Sequence, residues 1–133
     1  MITTSSFNRH HLLANGMVFN ILKESVLWME EKQRWEWIVM VVMPDHVHLI
    51  FRLAEGGELN KVMLSFKGFT GKKIQTELRL DHPVWLEQYY DHLIRGEDDF
   101  RECINYCYFN PLEKGLVRDA RDYPYWLSKI AME

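Results

Sequence analysis

Two adjacent runs of β-forming residues, Trp35 to Met43 and His46 to Leu53, constrain the fold more than any other part of this chain. Pro44 and Asp45 separate the two runs, and this pair of residues is typical of a tight turn. The first run is nearly continuously apolar, as expected of a strand that is buried on both faces. The sequence therefore predicts two antiparallel strands joined as a hairpin.

The second strand of this hairpin carries two polar residues, His46 and His48, inside an apolar run. Side chains alternate faces along a strand, so both imidazoles project to one side, while Val47 and Leu49 project to the other. Two neutral imidazoles on one face can bind the same divalent ion, but hydrogen-bonded structural histidines are the commoner use of such a pair. A histidine-triad nucleotide hydrolase would need a third histidine where Ile50 stands, which disfavours that class.

Helical and strand patterns continue on both sides of the hairpin. Gly68 and Gly71 argue against one straight second helix, and Pro111 is expected to end the last helix at Asn110. The order of elements predicts an α+β fold, a ferredoxin-like βαββαβ antiparallel sheet with an added C-terminal helix, in one domain over residues 1–133. The other predicted elements are a strand over 2–7, a helix over 17–33, a helix over 59–80, a strand over 84–94 and a helix over 97–110.

Composition and charge exclude some classes of function. The net charge of -3 argues against a protein that coats duplex DNA through its overall positive field. Positive charge is concentrated between Lys61 and Arg79, which suits a local nucleic-acid surface or a solvated helix face. The chain lacks an apolar run of the roughly 20 residues that a bilayer span needs, and it begins without a basic leader, so we expect a cytoplasmic protein.

The last predicted helix carries a second polar pair, Tyr106 and Asn110, four residues apart and therefore on one helical face. A phenol is an oxygen nucleophile once a cation or a base stabilises its phenolate. An amide oxygen is a hard ligand that suits Mg²⁺ or Mn²⁺. Taken alone, the two residues read as a packed aromatic and a helix C-cap, and only together with His46 and His48 do they suggest a metal-dependent site.

Three sequence blocks link these residues to a known family. The blocks "MPDHVHLIF", "WLEQYYDHLIR" and "INYCYFNPLEKGLV" resemble, in this order and spacing, the single-tyrosine HUH transposases, small insertion-sequence enzymes. The branch known as REP-associated tyrosine transposases is the most similar, and the resemblance runs from about Ile2 to Val117. The sequence departs from the family pattern at Leu86, where glutamine is frequent, and in a C-terminal tail that is not basic.

The resemblance implies a site, a cofactor and a reaction. His46, His48 and Asn110 would bind a divalent metal, Mg²⁺ or Mn²⁺, and Tyr106 would be the catalytic nucleophile. The implied enzyme is a DNA transposase and endonuclease that cleaves and rejoins single-stranded hairpin DNA through a 5′-phosphotyrosine intermediate. Such DNA is held by local basic and aromatic groups. The candidate DNA-binding residues here are Lys67, Lys72, Lys73, Arg95, Arg118 and His92.

Two other functions remain open from the sequence. A domesticated hairpin-binding protein would keep the fold and the DNA recognition without strand transfer. A relaxase or replication initiator of the wider HUH group would share the chemistry but usually carries additional domains. A homodimer, with the tyrosine helix acting across subunits, and a monomer are both compatible with the sequence.

Overall fold

The predicted hairpin lies inside a five-stranded antiparallel sheet in the computed structural model, which describes residues 1–132. The strands are β1 (Ile2–Ser6), β2 (Trp35–Val42), β3 (His46–Leu53), β4 (Trp85–Asp91) and β5 (Trp126–Ser128). The α helices of these residues are α1 (Gly16–Glu31), α2 (Leu59–Leu78) and α3 (Gly96–Glu113), and their order with the strands is β1-α1-β2-β3-α2-β4-α3-β5. The sheet order β4-β1-β3-β2-β5 confirms the predicted ferredoxin-like βαββαβ core with an added helix.

The two faces of the sheet pack against different helices. Val47 and Leu49 of β3 belong to the core that includes residues of α1 and α2, such as Leu22 and Phe66. Ile50 belongs to a second core, which includes Cys103, Ile104 and Cys107 of α3. Because residues alternate along β3, His46 and His48 lie on the same face as Ile50. We call this side the α3 face and the other side the two-helix face.

A bulge in β2 explains why this strand is apolar without alternation. The pairing with β3 shifts by one residue between Trp37 and Val39. Trp37 therefore packs on the two-helix face, and so do Met40 and Val42 beyond the bulge, while Val39 and Val41 point to the α3 face. The prediction of a strand buried on both faces is met over its second half, where each residue from Val39 to Val42 is fully buried.

Three sequence expectations need correction. Pro111 does not end α3, which continues to Glu113. A proline removes one helical hydrogen bond, but its buried ring packs with the protein, and the amides of Lys114 and Leu116 bond to the carbonyls of Asn110 and Pro111. The helix α2 runs without a break through both of its glycines. The strand β5 is three residues long, too short to produce a periodic signal, and the sequence pattern missed it.

Gly71 of α2 reflects a close approach between this helix and β4. A Cβ atom at this position would lie 3.3 Å from the Cδ1 atom of Trp85. Nearby, the Trp85 indole Nε1–H donates to the hydroxyl of Thr70 over 3.0 Å, and this hydroxyl donates to the Phe66 carbonyl over 2.7 Å. Both Trp85 and Thr70 are buried, so this short chain of hydrogen bonds connects β4 to α2 away from water.

Within residues 1–132 no helix is both long and apolar enough to cross a membrane.

We expect Thr70→Val to lower the free energy of unfolding by about 1–3 kcal/mol, because the variant leaves the buried indole N–H of Trp85 without an acceptor. Chemical denaturation followed by tryptophan fluorescence measures the change. Thr76→Val is the matched control, since the Thr76 hydroxyl also donates to a carbonyl one turn earlier but is exposed. Its effect should stay within about 0.5 kcal/mol. Equal losses in the two variants would contradict the role of the Trp85 bond.

Candidate functional site

The two histidines of β3 lie side by side on the α3 face, with ring centroids 4.7 Å apart. The Nδ1 atom of His46 lies 2.7 Å from Oδ1 of Asp45, and Nδ1 of His48 lies 2.7 Å from the hydroxyl oxygen of Thr3. A metal-binding histidine usually donates its second ring N–H to a neighbouring oxygen in this way. Both rings are therefore oriented by Nδ1, which leaves their Nε2 atoms as the available ligands.

The protonation of Asp45 decides which tautomer His46 adopts. Burial raises the pKa of the Asp45 carboxyl, but hydrogen bonds from His46 and Arg9 outweigh burial and hold this pKa below its usual value. The carboxyl is thus ionised at neutral pH and can only accept a hydrogen bond. In its neutral form the ring of His46 therefore donates its Nδ1–H to Asp45 and presents the Nε2 lone pair.

His48 is held neutral by its surroundings. Its side chain is buried and only 3% of the residue is exposed, and this burial, together with the neighbouring His46, lowers the pKa of His48 to about 3. The Nε2 atom of His48 is buried and has no hydrogen-bond partner among the described residues. A neutral imidazole with a buried, unpartnered nitrogen can act as a ligand to a cation.

Helix α3 brings Tyr106 to these histidines. The ring centroids of Tyr106 and His48 are 5.2 Å apart, and 48% of Tyr106 is exposed, so the phenol is open to a large substrate. Asn110, one turn further along α3, is only 2% exposed. Its Oδ1 atom is buried and is also without a hydrogen-bond partner in the part of the chain that the structure describes.

The candidate ligand atoms of His46, His48 and Asn110 are of types that bind divalent metals. An unpaired buried polar atom costs about 1–3 kcal/mol, and a cation bound to it would offset that cost. Two of the three candidate ligand atoms on the α3 face are of this kind, Nε2 of His48 and Oδ1 of Asn110, and the third is Nε2 of His46, whose Nδ1 atom is paired with Asp45. The amide oxygen suits Mg²⁺ or Mn²⁺, and neutral imidazoles are common ligands to divalent transition-metal ions. A metal held by these three atoms would keep further positions for water or substrate oxygens.

Three of the six candidate DNA-binding residues lie across the sheet from this group of side chains. Three lysines belong to α2 and thus to the two-helix face: Lys67, Lys72 and Lys73. The Lys67 ammonium donates to the carbonyls of Leu86 and Glu87 over 2.5 and 2.9 Å, and burial lowers its pKa. The other three are His92 and Arg95, just before α3, and Arg118, after its end. Their binding of DNA stays a prediction.

A second group of possible ligands lies near the start of α3. The ligand atoms of His92, Asp99 and Cys103 all lie within 4.8 Å of one another. The Nε2 atom of His92 is 2.9 Å from Asp99, which also accepts the backbone N–H of Arg95 over 2.8 Å. These hydrogen bonds cap the N-terminus of α3 and account for the group as it stands.

Three residues around the histidines were missed by the sequence analysis: Thr3, Arg9 and Asp45. Asp45 could have been suspected, because it directly precedes His46 in the turn. Thr3 lies opposite His48 through the pairing of β1 with β3, a register that the sequence pattern does not specify. Arg9 reaches Asp45 from a short 3₁₀ turn at Phe7–Arg9, so its role depends on the local backbone conformation.

Comparison with known proteins gives one consistent result. The family described as IS200-like transposases matches residues 2–105, a span that ends one residue before Tyr106. A REP-associated tyrosine transposase of Escherichia coli K12 is 24% identical over 112 residues, which are 80% of this chain and 62% of that protein. A protein of Haemophilus influenzae named for the same group is 26% identical over 105 residues, 71% of this chain and 60% of that protein. The chain thus spans about 60% of the length of these relatives.

A solved structure is similar over most of the fold. It is the structure of a REP-associated tyrosine transposase bound to a REP hairpin, with a TM-score of 0.76 and 25% sequence identity. The match covers 94% of this chain and 73% of that one. The similarity therefore includes the sheet and the helix that carries Tyr106.

The burial of His48 predicts a pH-dependent stability. The folded protein binds a proton on His48 only near pH 3, whereas the unfolded chain binds it near pH 6.5. Stability is therefore fully present above pH 6.5 and falls as the pH drops toward 3, by about 1.4 kcal/mol per pH unit for this group. In metal-free protein, His48→Gln should reduce this slope, measured by urea denaturation at several pH values. The exposed His11 provides the control variant His11→Gln, and equal slopes in both variants would contradict the assignment.

Proposed function

The chain belongs to the family of IS200-like transposases, and from this premise we propose that it is a metal-dependent enzyme that cleaves and rejoins single-stranded hairpin DNA. The observation that carries the proposal is the meeting of two separate parts of the chain on the α3 face. The ring of Tyr106 lies 5.2 Å from the ring of His48, which in turn lies 4.7 Å from the ring of His46, and α3 also carries the buried Oδ1 atom of Asn110, which has no partner among the described residues. We further propose that residues 1–133 act as one domain in the cytoplasm.

Three side chains would hold the metal: His46 and His48 through Nε2, and Asn110 through Oδ1. A bound Mg²⁺ or Mn²⁺ supplies Lewis acidity, which neutralises charge on the scissile phosphate. The protein contributes ligands that are already in position, because Asp45 and Thr3 fix the two rings by their Nδ1 atoms. The buried His48 remains a neutral ligand through the whole physiological pH range.

Tyr106 would act as the nucleophile. Its phenol oxygen attacks the phosphorus, the bond from phosphorus to the 3′ oxygen breaks, and a 5′-phosphotyrosine link and a free 3′-hydroxyl result. The phenol proton leaves to solvent, to which the side chain is half exposed, and the departing 3′ oxygen takes a proton from solvent to become the hydroxyl. Because one phosphodiester replaces another, the 3′-hydroxyl of a second end can reverse the reaction without an external energy source. Covalent catalysis of this kind divides one difficult transfer into two easier ones.

The proposed DNA partner is a single strand folded into a hairpin, since the similar solved structure is of a transposase bound to a REP hairpin. Tyr106 is open to solvent on the α3 face, so the cleaved strand would cross this face. The side chains of Arg95, Arg118 and His92 would contact DNA on either end of α3. The lysines of α2, Lys67, Lys72 and Lys73, would contact a part of the hairpin away from the cleaved strand.

Tyr106→Phe should abolish a covalent protein–DNA adduct that the unchanged protein forms with 5′- and 3′-labelled hairpin DNA and Mg²⁺ or Mn²⁺. The phenyl ring keeps the packing but lacks the attacking oxygen. Denaturing gel electrophoresis separates the adduct from free DNA. Tyr108→Phe is the control on the same helix, because the ring of Tyr108 packs against Trp126 instead of His48. An adduct that persists in Tyr106→Phe would refute the nucleophile, and hairpin binding without an adduct under any metal would favour the binding-protein alternative.

Asn110→Leu should change stability and metal binding in opposite directions. Leucine has a similar shape but lacks the buried, unpaired oxygen, so the metal-free protein should gain about 1 kcal/mol or more in unfolding free energy. The affinity for Mn²⁺, measured by titration calorimetry, should fall at least tenfold, and the yield of the DNA adduct should fall with it.

Thr4→Val is the matched control for Asn110→Leu. The hydroxyl oxygen of Thr4 is also buried without a partner in residues 1–132, but it lies on the two-helix face, across the sheet from the histidines. This variant should gain stability and bind Mn²⁺ like the unchanged protein. If Asn110→Leu bound Mn²⁺ equally well, Asn110 would not be a ligand.

A further inference from the structure

We propose that Arg9 is a positioning residue for His46, acting through the carboxylate of Asp45. This inference rests on the proposed function, because it assigns His46 a role as a metal ligand. Arg9 would fix the orientation of the carboxylate, and the carboxylate would fix the ring and the tautomer of His46. Arg9 would touch neither the metal nor the tyrosine.

The contacts form a continuous chain of charge-assisted hydrogen bonds. The Nε and Nη2 atoms of Arg9 lie 3.0 and 2.9 Å from Oδ2 of Asp45, and its Nη1 atom donates to the hydroxyl of Ser5 over 3.2 Å. The other carboxylate oxygen, Oδ1, lies 2.7 Å from Nδ1 of His46. Each oxygen of Asp45 is therefore engaged in a different direction, so the plane of the carboxylate cannot rotate without breaking a contact.

The backbone around Arg9 adopts a conformation that needs compensation. Asn8 and Arg9 both have left-handed dihedrals, with φ of 53° and 56°. A residue other than glycine in this region costs roughly 1 kcal/mol, although asparagine tolerates it better. The two residues turn the chain at the end of β1, where Ser6 donates its amide to the Asp45 carbonyl over 2.9 Å and its hydroxyl to the His10 carbonyl over 2.7 Å. The unusual turn thus brings Arg9 onto the residue that precedes His46.

Stability alone does not account for this arrangement. The Arg9 side chain is 59% exposed, and an ion pair near the surface contributes at most about 1 kcal/mol. A lysine could supply a positive charge, but the two N–H groups of Arg9 that converge on Oδ2, at Nε and Nη2, belong to the fixed fork of a guanidinium. What the guanidinium adds is a fixed direction for the carboxylate. Without it, Asp45 can turn toward water, and the neutral ring of His46 can move its proton to Nε2, where the ligand lone pair is lost.

The test uses two measurements on the full chain without DNA. In ¹⁵N-labelled, metal-free protein, the ring nitrogen resonances of His46 report which nitrogen carries the proton, and Mn²⁺ titration reports the affinity of the site. We expect Arg9→Ala to shift His46 toward the Nε2–H tautomer and to weaken Mn²⁺ binding about tenfold, the lower end of the effect of such supporting partners. Arg9→Lys should restore part of the Nδ1–H tautomer of His46 and part of the Mn²⁺ affinity that Arg9→Ala loses.

Arg79→Ala is the matched control, because Arg79 is also an exposed arginine in a left-handed conformation, with φ of 55°, at the end of α2. This control should match the unchanged protein in both measurements. If Arg9→Ala does not fold, Asp45→Asn replaces it, because an amide can donate to Nδ1 and should impose the Nε2–H tautomer on His46.

The outcomes separate this inference from the proposed function. The inference is overturned if Arg9→Ala keeps the tautomer of His46 and binds Mn²⁺ within twofold of Arg79→Ala. If Arg9→Ala does not fold, the inference is overturned when Asp45→Asn keeps the tautomer of His46 and binds Mn²⁺ within twofold of Arg79→Ala. If the unchanged protein forms no DNA adduct while Arg9→Ala still shifts the tautomer, the proposed enzyme fails and the positioning role of Arg9 stands.

Discussion

The structure depends on one constraint, the alternation of side chains along β3. This strand has neighbours on both sides in the sheet and helices over both faces, so each residue is committed to one of two interiors. Val47 and Leu49 fill the two-helix face, and the imidazoles of His46 and His48 are consequently directed to the α3 face. A slip of one residue in the pairing would move both imidazoles into the apolar core of the two-helix face and turn the valine and the leucine toward the α3 face. The packing of the core therefore fixes where the two imidazoles lie.

The sequence predicted the parts of the fold and the site that depend on short-range periodicity. The hairpin, the common face of the two histidines and the one-turn spacing of Tyr106 and Asn110 all follow from periods of two or 3.6 residues. Contacts between distant segments could not be read in this way. Thr3 meets His48 only through the register of β1, and Pro111 stays helical because packing outweighs one missing hydrogen bond. The functions of the predicted site residues remain predictions.

The site is built from groups whose polar atoms are not satisfied by the protein alone. Interiors normally pair their buried polar atoms, and a buried oxygen or nitrogen without a partner lowers stability. His48 and Asn110 each retain one such atom, and both lie on the α3 face. Natural proteins keep local costs of this kind mainly where function requires them. The cost at the α3 face is therefore an argument for a ligand, whereas Thr4, an isolated case on the other face, offers no second donor beside it.

The sheet and α3 contribute in different ways to the proposed chemistry. The two imidazoles are buried on β3, a strand inside the sheet, whereas Tyr106 is half exposed on a helix that packs through small side chains, Cys103 and Cys107 among them. A thiol beside a metal site could compete as nucleophile or ligand, since the thiolate is the reactive form. Burial raises the pKa of Cys107 to about 12, so this thiol stays protonated and serves as a small apolar contact. Because the thiol next to it in the chain is buried and protonated, it would not compete with the exposed phenol of Tyr106 for the role of nucleophile that we propose.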